Sequence, residues 1–584
     1  MERMQLSNEH VEAVNRRRRL INHYDAALYR YGAAPLEATT EAIIEFSGWP
    51  GHQIDSVWWD VYGDWGCHPS ELVEPFPSVR EFLAAGNDPV ESVIRESRRR
   101  GFEVFVSHRM NQAPDLNFLD GPPRLQEEHP EWPINFNPDP AGDPIYTVPW
   151  QETGCMWNYA VPEVHDHRKR VVCELAERYD TDGILLDWSR GCPHLPVGQQ
   201  WVLRDCLTRC MRLLRRSLQE VAKRRGRPLI VAARVPETVQ GCHFDGMDVE
   251  AWIDERLVDI LVLGDRSLEV DIAAFRRLTT GSHIKLYPSY DDHHSSDGYK
   301  TAPIEVLRGV ASNWQRQGAD GIHLMNFLCS TPDALERVGF LPAGQESTPN
   351  SPAWRRNAEA FRQIGAEDSL RHLDKTFVVQ RRAGGIPFII GFPEEGHTQR
   401  IFYHLANMEA SLPARLGQHG RGLTLLHLYV GDGLDAQAEN VQSIALRVLL
   451  SDPNSSRPPG DQRVESAIVR RSTYGESDCT TMPVARELLP RFEVRLNNVA
   501  LGPAKIEEGW QVFSVHPSQM AGGVNLVGVR IATEPVDQVC FDLVRCAGST
   551  PPPALPEPAV DDILIEKVEL DIKYRLDIEH QTPK

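Results

Sequence analysis

"RYDTDGILLDWSRGCPHLP", residues 178–196, carries an apolar run from Ile184 to Leu186 that stops abruptly on Asp187, Trp188, Ser189 and Arg190. Apolar residues on both faces are the pattern of a parallel strand covered on both sides. A carboxylate set immediately after such a strand lies at the carboxyl end of the sheet, where α/β folds build their sites. The plainer reading is a charged residue that merely ends the strand, and the rest of the chain decides between the two.

Outward from that run, the first 330 residues alternate strand-like and amphipathic helical segments, as parallel α/β folds do. Eight strand runs stand out: "RRLINHY" 18–24, "SVWWDVY" 56–62, "FEVFVS" 102–107, "GILLDW" 183–188, "PLIVAARV" 228–235, "VDILVLG" 258–264, "HIKLYP" 283–288 and "DGIHLMNF" 320–327. Helices fit between them. In "DPVESVIRESRRRG", 88–101, Asp88 can cap, Pro89 suits the first turn and Gly101 ends it. Eight strands with intervening helices point to a (β/α)₈ TIM barrel over 1–345. An open dinucleotide sheet would need a glycine fingerprint after its first strand, where "DAALYRYG" stands instead.

The longest insertion, from Asn111 to about Val161, carries Trp132, Tyr146, Trp150, Trp157 and Tyr159. That is too aromatic for disorder and suits either a satellite cluster or a wall over the barrel mouth. Residues 346–374 read as linker and helix. Short alternating strands such as "LTLLHLYVGD", "SIALRVLLSD" and "VNLVGVRIA" make 375–548 an accessory β-sandwich. A Pro-rich spacer and a terminal strand, "ILIEKVELDIKYR", occupy 549–584.

The net charge of −20 would repel phosphate backbones and anionic lipid, so nucleic acid and membrane surfaces are not expected partners and a neutral substrate is. The amino terminus has no apolar run of signal-peptide length and no stretch of 18 apolar residues follows, so the chain is expected to be cytoplasmic. Its eleven cysteines are odd in number and scattered, which suits reduced thiols. The pairs His165/His167 and His293/His294 lack a supporting HExxH or CxxC pattern, and there is no Walker loop or GxSxG elbow. No metal and no cofactor are expected.

In a barrel, residues just past each strand share one face. That face offers Asn22 and Asp25, Asp60 and Asp64, His108, Arg109 and Asn111, Asp187, Trp188 and Arg190, Arg234, Asp265, Tyr287, Tyr290 and Asp291, and Asn326. Carboxylates, guanidiniums, amides and rings around one mouth suit a polyhydroxylated substrate. Expected to bind it are Asp25, Asp60, Arg109, Asn111, Trp188, Arg190, Arg234, Tyr287, Asp291 and Asn326. Arg190 and Arg234 would in addition keep Asp187 ionised.

The runs "YDTDGILLDWSR", "AARVPET", "LVDILVLGD" and "GADGIHLMNF" resemble the glycosyl hydrolase-like 10 group of TIM-barrel proteins and its bacterial relatives, over about residues 15 to 345. The resemblance implies a carbohydrate-active enzyme. The carboxylate placement is also similar to the α-galactosidase clan, which implies Asp187 at the end of strand four as nucleophile and Asp265 at the end of strand six as acid/base. Glycoside hydrolysis uses such a pair, about 5–5.5 Å apart for retention and about 6.5–9.5 Å for inversion. "DGILLDW" is similar as well to the DGxDxDWE segment of chitinase-type barrels, but Leu185 and Ser189 stand where that chemistry needs acids. The reading is a glycoside hydrolase, with a noncatalytic carbohydrate-binding barrel as the alternative. The sandwich packs on the barrel, supports a homo-oligomer or binds sugar. Asp187→Asn is expected to leave folding nearly intact.

Overall fold

All eight apolar runs form parallel strands: β1 Leu20–Tyr24, β2 Ile54–Asp60, β3 Glu103–Arg109, β4 Gly183–Asp187, β5 Ile230–Val235, β6 Ile260–Leu263, β7 Lys285–Asp291 and β8 Ile322–Met325. Each pairs with its sequence neighbours and β1 pairs with both β2 and β8, which closes a TIM barrel. The structure, a computed structural model, describes residues 3–25, 35–111, 123–134, 156–189, 193–196, 198–264, 267–292, 299, 302–327, 334, 337–338, 353–381, 410–417, 423–434, 438–452, 469–472, 475–480, 482–484, 489–531 and 563–575.

Period-two alternation fills the barrel. Ile21, Trp58, Phe105, Leu185, Ile230, Ala232, Ile260, Val262 and Tyr287 form one buried cluster, contributed by seven successive strands. Trp58 and Phe105 stack with centroids 4.6 Å apart and planes 2° from parallel. Near the start of β1, Arg18 donates from Nε and Nη2 to the two carboxylate oxygens of Glu103, each at 2.7 Å, and from Nη1 to Val14 O at 2.8 Å. Of the arginine run at 16–19, Arg16 and Arg17 are exposed while Arg18 is fully buried.

The helix Pro89–Arg99 begins as its sequence suggests. Asp88 accepts from the backbone N–H of Val90 and Glu91 at 3.0 and 3.2 Å, and the chain leaves through Gly101 at φ +83°. The Asn111–Val161 insertion is described only in part. There Trp157 Nε1 donates to Asp64 at 2.6 Å, and Arg168 on the helix Pro162–Arg178 donates to both Asp64 oxygens at 2.7 and 2.8 Å. Arg168, with His167 beside it, outweighs burial and holds the Asp64 carboxyl well below its usual range.

The chain divides into two compact units, and the helix Ile304–Arg316, although it lies between β7 and β8 in sequence, groups with the C-terminal sheets. Gly309 on that helix is needed there, since a Cβ would fall 2.3 Å from Thr376 O. The sheets form an antiparallel sandwich. One holds Lys375–Val378, Leu564–Tyr574, Val441–Asp452 and Trp510–Val515 in that order, the other Leu423–Val430, Gly523–Ile531 and Phe492–Leu496. Leu446, Val448, Leu570 and Ile572 share a core with Leu426, Leu428, Val527 and Val529. The strand after the Pro-rich spacer is thus an interior strand, paired on both edges. The strand-like run "QRIFYHLAN", 399–407, lies outside the described residues.

Gly183, which opens β4, allows the barrel to close tightly. A Cβ there would lie 2.4 Å from the Phe105 ring and 2.7 Å from Ile230 O. Gly183→Ala is expected to destabilise by about 2–3 kcal/mol, read from the denaturant midpoint, because overpacking forces ring or backbone to move. An unchanged midpoint would contradict this close approach.

Candidate active site

The alternation that buries Trp58, Leu185 and Ala232 inside the barrel sends the residue two positions on to the same side. Those residues are Asp60, Asp187 and Arg234. By the same parity Phe105 is followed by Ser107 and Arg109, Ile21 by His23 and Asp25, and Tyr287 by Ser289 and Asp291. An apolar floor therefore ends in a charged layer at the carboxyl ends of the strands, the face on which TIM barrels place their sites.

Two guanidiniums organise this layer. Arg109, Asp187 and Arg234 are register partners on β3, β4 and β5. Arg234 meets Asp187 in a fork, Nε to Oδ1 at 2.9 Å and Nη2 to Oδ2 at 2.6 Å, with both side chains fully buried. The backbone N–H of Ser189 donates to Asp187 Oδ1 at 3.0 Å. Arg109 donates from Nε to Asp60 Oδ2 at 2.7 Å and from Nη2 to Asp25 Oδ2 at 3.2 Å. Tyr62, at φ +64°, donates its hydroxyl to Asp25 Oδ1, and its ring lies 4.2 Å from the Arg109 guanidinium carbon. Asn326, at φ +56°, donates to Asp291 at 3.1 and 3.2 Å.

Charge crowding shows in Asp60. Burial lifts its carboxyl to about 6 against the pull of Arg109, with the charges of Asp25 and Asp187 pushing the same way as burial.

The geometry brings Asp25, Asp60, Arg109, Asp187 and Arg234 together, with Asp291 and Asn326 paired at the ends of β7 and β8. Three other sequence candidates go elsewhere. Trp188, next after an inward residue, points out of the barrel and is fully buried against Tyr159, His194 and Trp252, at ring centroid distances of 5.1, 5.0 and 6.0 Å. Asn111 spends its amide on the backbone: it accepts from Trp157 N at 2.9 Å and reaches Trp157 O and Pro193 O at 3.3 Å, clamping two segments. Tyr287 lies in the barrel's lower interior, its ring 2.8 Å from where a Gly321 Cβ would sit and close to the Arg18 backbone. None of the three is placed to meet a ligand at the mouth. Asp265 and Arg190 lie outside the described residues.

Sequence reasoning passed over His23, His323, Ser289, Tyr62 and Glu237. The two histidines sit inside strands read as apolar runs, although the parity of His23 with Ile21 was available, and Ser289 lies one residue past the run at 283–288. Glu237, in "AARVPET", is buried beside Gly264. His165 Nε2 donates to Tyr159 O at 2.7 Å, and His293 and His294 lie outside the described residues. Among the described residues no group of three His, Cys, Asp or Glu could hold a metal ion, and no helix is long and apolar enough to cross a membrane.

No family model matches the chain, and no curated protein matches it. Solved structures with a likeness include an α-L-fucosidase isoenzyme 2 from Paenibacillus thiaminolyticus, at TM-score 0.39 and 13% identity over 63% of this chain and 52% of that one. A maltogenic α-amylase AmyB from Thermotoga neapolitana gives 0.35 and 10% over 88% and 99%. A GH36 α-galactosidase AgaB from Geobacillus stearothermophilus gives 0.33 and 11% over 90% and 57%. The chain thus spans about half the length of the fucosidase and the galactosidase.

The fork changes one expectation. Asp187→Asn would leave Arg234 as a buried, uncompensated charge, so the substitution should cost about 3–5 kcal/mol rather than leave folding intact. Asp60 gives a pH-dependent test. Its carboxyl rises from 3.8 to about 6 on folding, so its contribution to stability is full below pH 3.8 and is lost as pH rises through 6. Asp60→Asn should therefore gain stability relative to the unsubstituted chain between pH 4 and pH 7, by an amount on the order of 3 kcal/mol. Paired denaturation curves at the two pH values check this, and a difference independent of pH would contradict it.

Proposed function

We propose that the chain is a glycoside hydrolase acting on a neutral oligosaccharide at the carboxyl-terminal mouth of the barrel. The observation that carries the reading is the charged layer over an apolar floor. Four carboxylates, Asp25, Asp60, Asp187 and Asp291, stand there with two guanidiniums, Arg109 and Arg234, among the described residues. A structural scaffold does not need this many buried charges, each of which costs desolvation. A polyhydroxylated ligand uses them, because hydroxyls donate to carboxylates and accept from guanidiniums.

In this reading Asp187 faces the anomeric carbon and Asp265 protonates the leaving oxygen. Arg234 keeps Asp187 ionised, so the carboxylate can attack or stabilise an oxocarbenium-like centre. Asp25 and Asp60 hold sugar hydroxyls, and Asp60, carrying a proton part of the time near pH 6, can serve as donor or acceptor. The surplus of carboxylates favours a neutral sugar over a uronic acid. The complete burial of Asp187 favours a second reading, a barrel that binds carbohydrate without cleaving it.

A hydrolysis screen over aryl glycosides and oligosaccharides, with product anomers followed by NMR, separates the two. On the best substrate, Asp187→Asn should lose about a thousandfold or more in turnover per folded molecule, the folded fraction being measured on the same sample. Full activity per folded molecule in that variant would remove Asp187 from the chemistry. Sugar binding without hydrolysis of any substrate would favour the second reading.

A further inference from the structure

Beneath the charged layer, three side chains that the proposed chemistry does not use form a hydrogen-bonded row across β7, β8 and β1. Ser289 Oγ lies 2.9 Å from His323 Nδ1, and His323 Nε2 lies 3.1 Å from His23 Nδ1. All three are buried in the barrel, and the two imidazoles meet edge to face with centroids 5.1 Å apart. The row ends on an atom with no hydrogen-bond partner, His23 Nε2. Because Nδ1 is turned to β8, Nε2 at the far side of the ring points away from it. A polar atom that deep usually has a partner.

We propose that His23 is a ligand-contacting residue of the barrel mouth, its Nε2 meeting a hydroxyl of the bound sugar, and that His323 and Ser289 are positioning residues that fix its tautomer. The inference rests on the carbohydrate reading above. If Ser289 donates to His323, each ring passes its proton on and His23 presents an N–H; if Ser289 accepts, His23 presents a lone pair. A hydroxyl satisfies either arrangement, whereas a carboxylate fits one and an ammonium the other. A neutral polyol is therefore the ligand that this row suits.

The row works only with both rings uncharged, and their surroundings hold them so. Burial, then the charges of Arg234 and Arg109, keeps His23 well below the ordinary imidazole range, against the opposing charges of Asp25 and Asp291. His323 is held down by burial, His23 and Arg234, with Asp187 and Asp291 opposing.

Selective ¹⁵N-histidine NMR on the full chain tests the row without any ligand. His23 and His323 should each keep one neutral tautomer from pH 5 to 8, and Ser289→Ala should shift the nitrogens of these two rings and no others. Titration of either ring in that range, or no response to Ser289→Ala, would overturn the row. Glucose, galactose, mannose and fucose, added in turn, test the contact: at least one should move His23 Nε2. On a substrate found by hydrolysis screening, His23→Leu should lower kcat/KM about 10- to 100-fold and His23→Gln should restore part of it, since the amide can replace Nε2. Hydrolysis with an indifferent His23 would overturn this inference and leave the function standing. A sugar-induced shift at His23 without hydrolysis would support the contact and overturn the hydrolase. No response to any sugar, with no hydrolysis, would overturn both.

Discussion

The fork between Arg234 and Asp187 is the interaction around which the rest of the mouth is arranged. Two charges fully withdrawn from water face a large desolvation penalty, which only near-ideal geometry and further hydrogen bonds can offset. Both conditions hold, with two N–H donors on two oxygens and the Ser189 amide on one of them. The pair is possible because β4 and β5 are adjacent and in register, with both residues at one level and on one face. Each of the two strands has an apolar run long enough to cross the barrel and a charged residue two positions past its last interior apolar one, Asp187 after Leu185 and Arg234 after Ala232.

The same rule explains why so much of the architecture was legible in the sequence. Runs such as "GILLD" and "IVAARV" are apolar on both faces because helices cover one side and the barrel interior fills the other, so composition alone marks them. Closure of the sheet follows from the number of runs and the helices between them. The grouping of the helix Ile304–Arg316 with the C-terminal sheets depends on tertiary contacts that no local pattern encodes.

The site was legible only as far as parity was respected. Asp60, Arg109, Asp187 and Arg234 come together because each lies on the inward face of its strand end. Trp188 was grouped with Asp187 by adjacency, but adjacent residues of a strand point to opposite sides. Tyr287 lies on the right face and too low, two pleats short of Asp291. Asn111 has the chemistry of a sugar ligand, but its amide is satisfied by backbone groups from distant segments, which sequence does not bring into view. His23 and His323 were hidden by their apolar neighbours, although period two places them above the floor.

Whether a sugar occupies the layer that this fork organises decides what the mouth of the barrel does. Crystals soaked at saturating concentration with a hydrolysis product, or with iminosugars of gluco and galacto configuration, answer that most directly. The expected result is a sugar ring over the barrel mouth with hydroxyls about 2.6–3.2 Å from Asp25, Asp60 or Arg109 and its anomeric carbon facing Asp187. A mouth that holds no sugar, or a ring bound only on the β-sandwich, would contradict it.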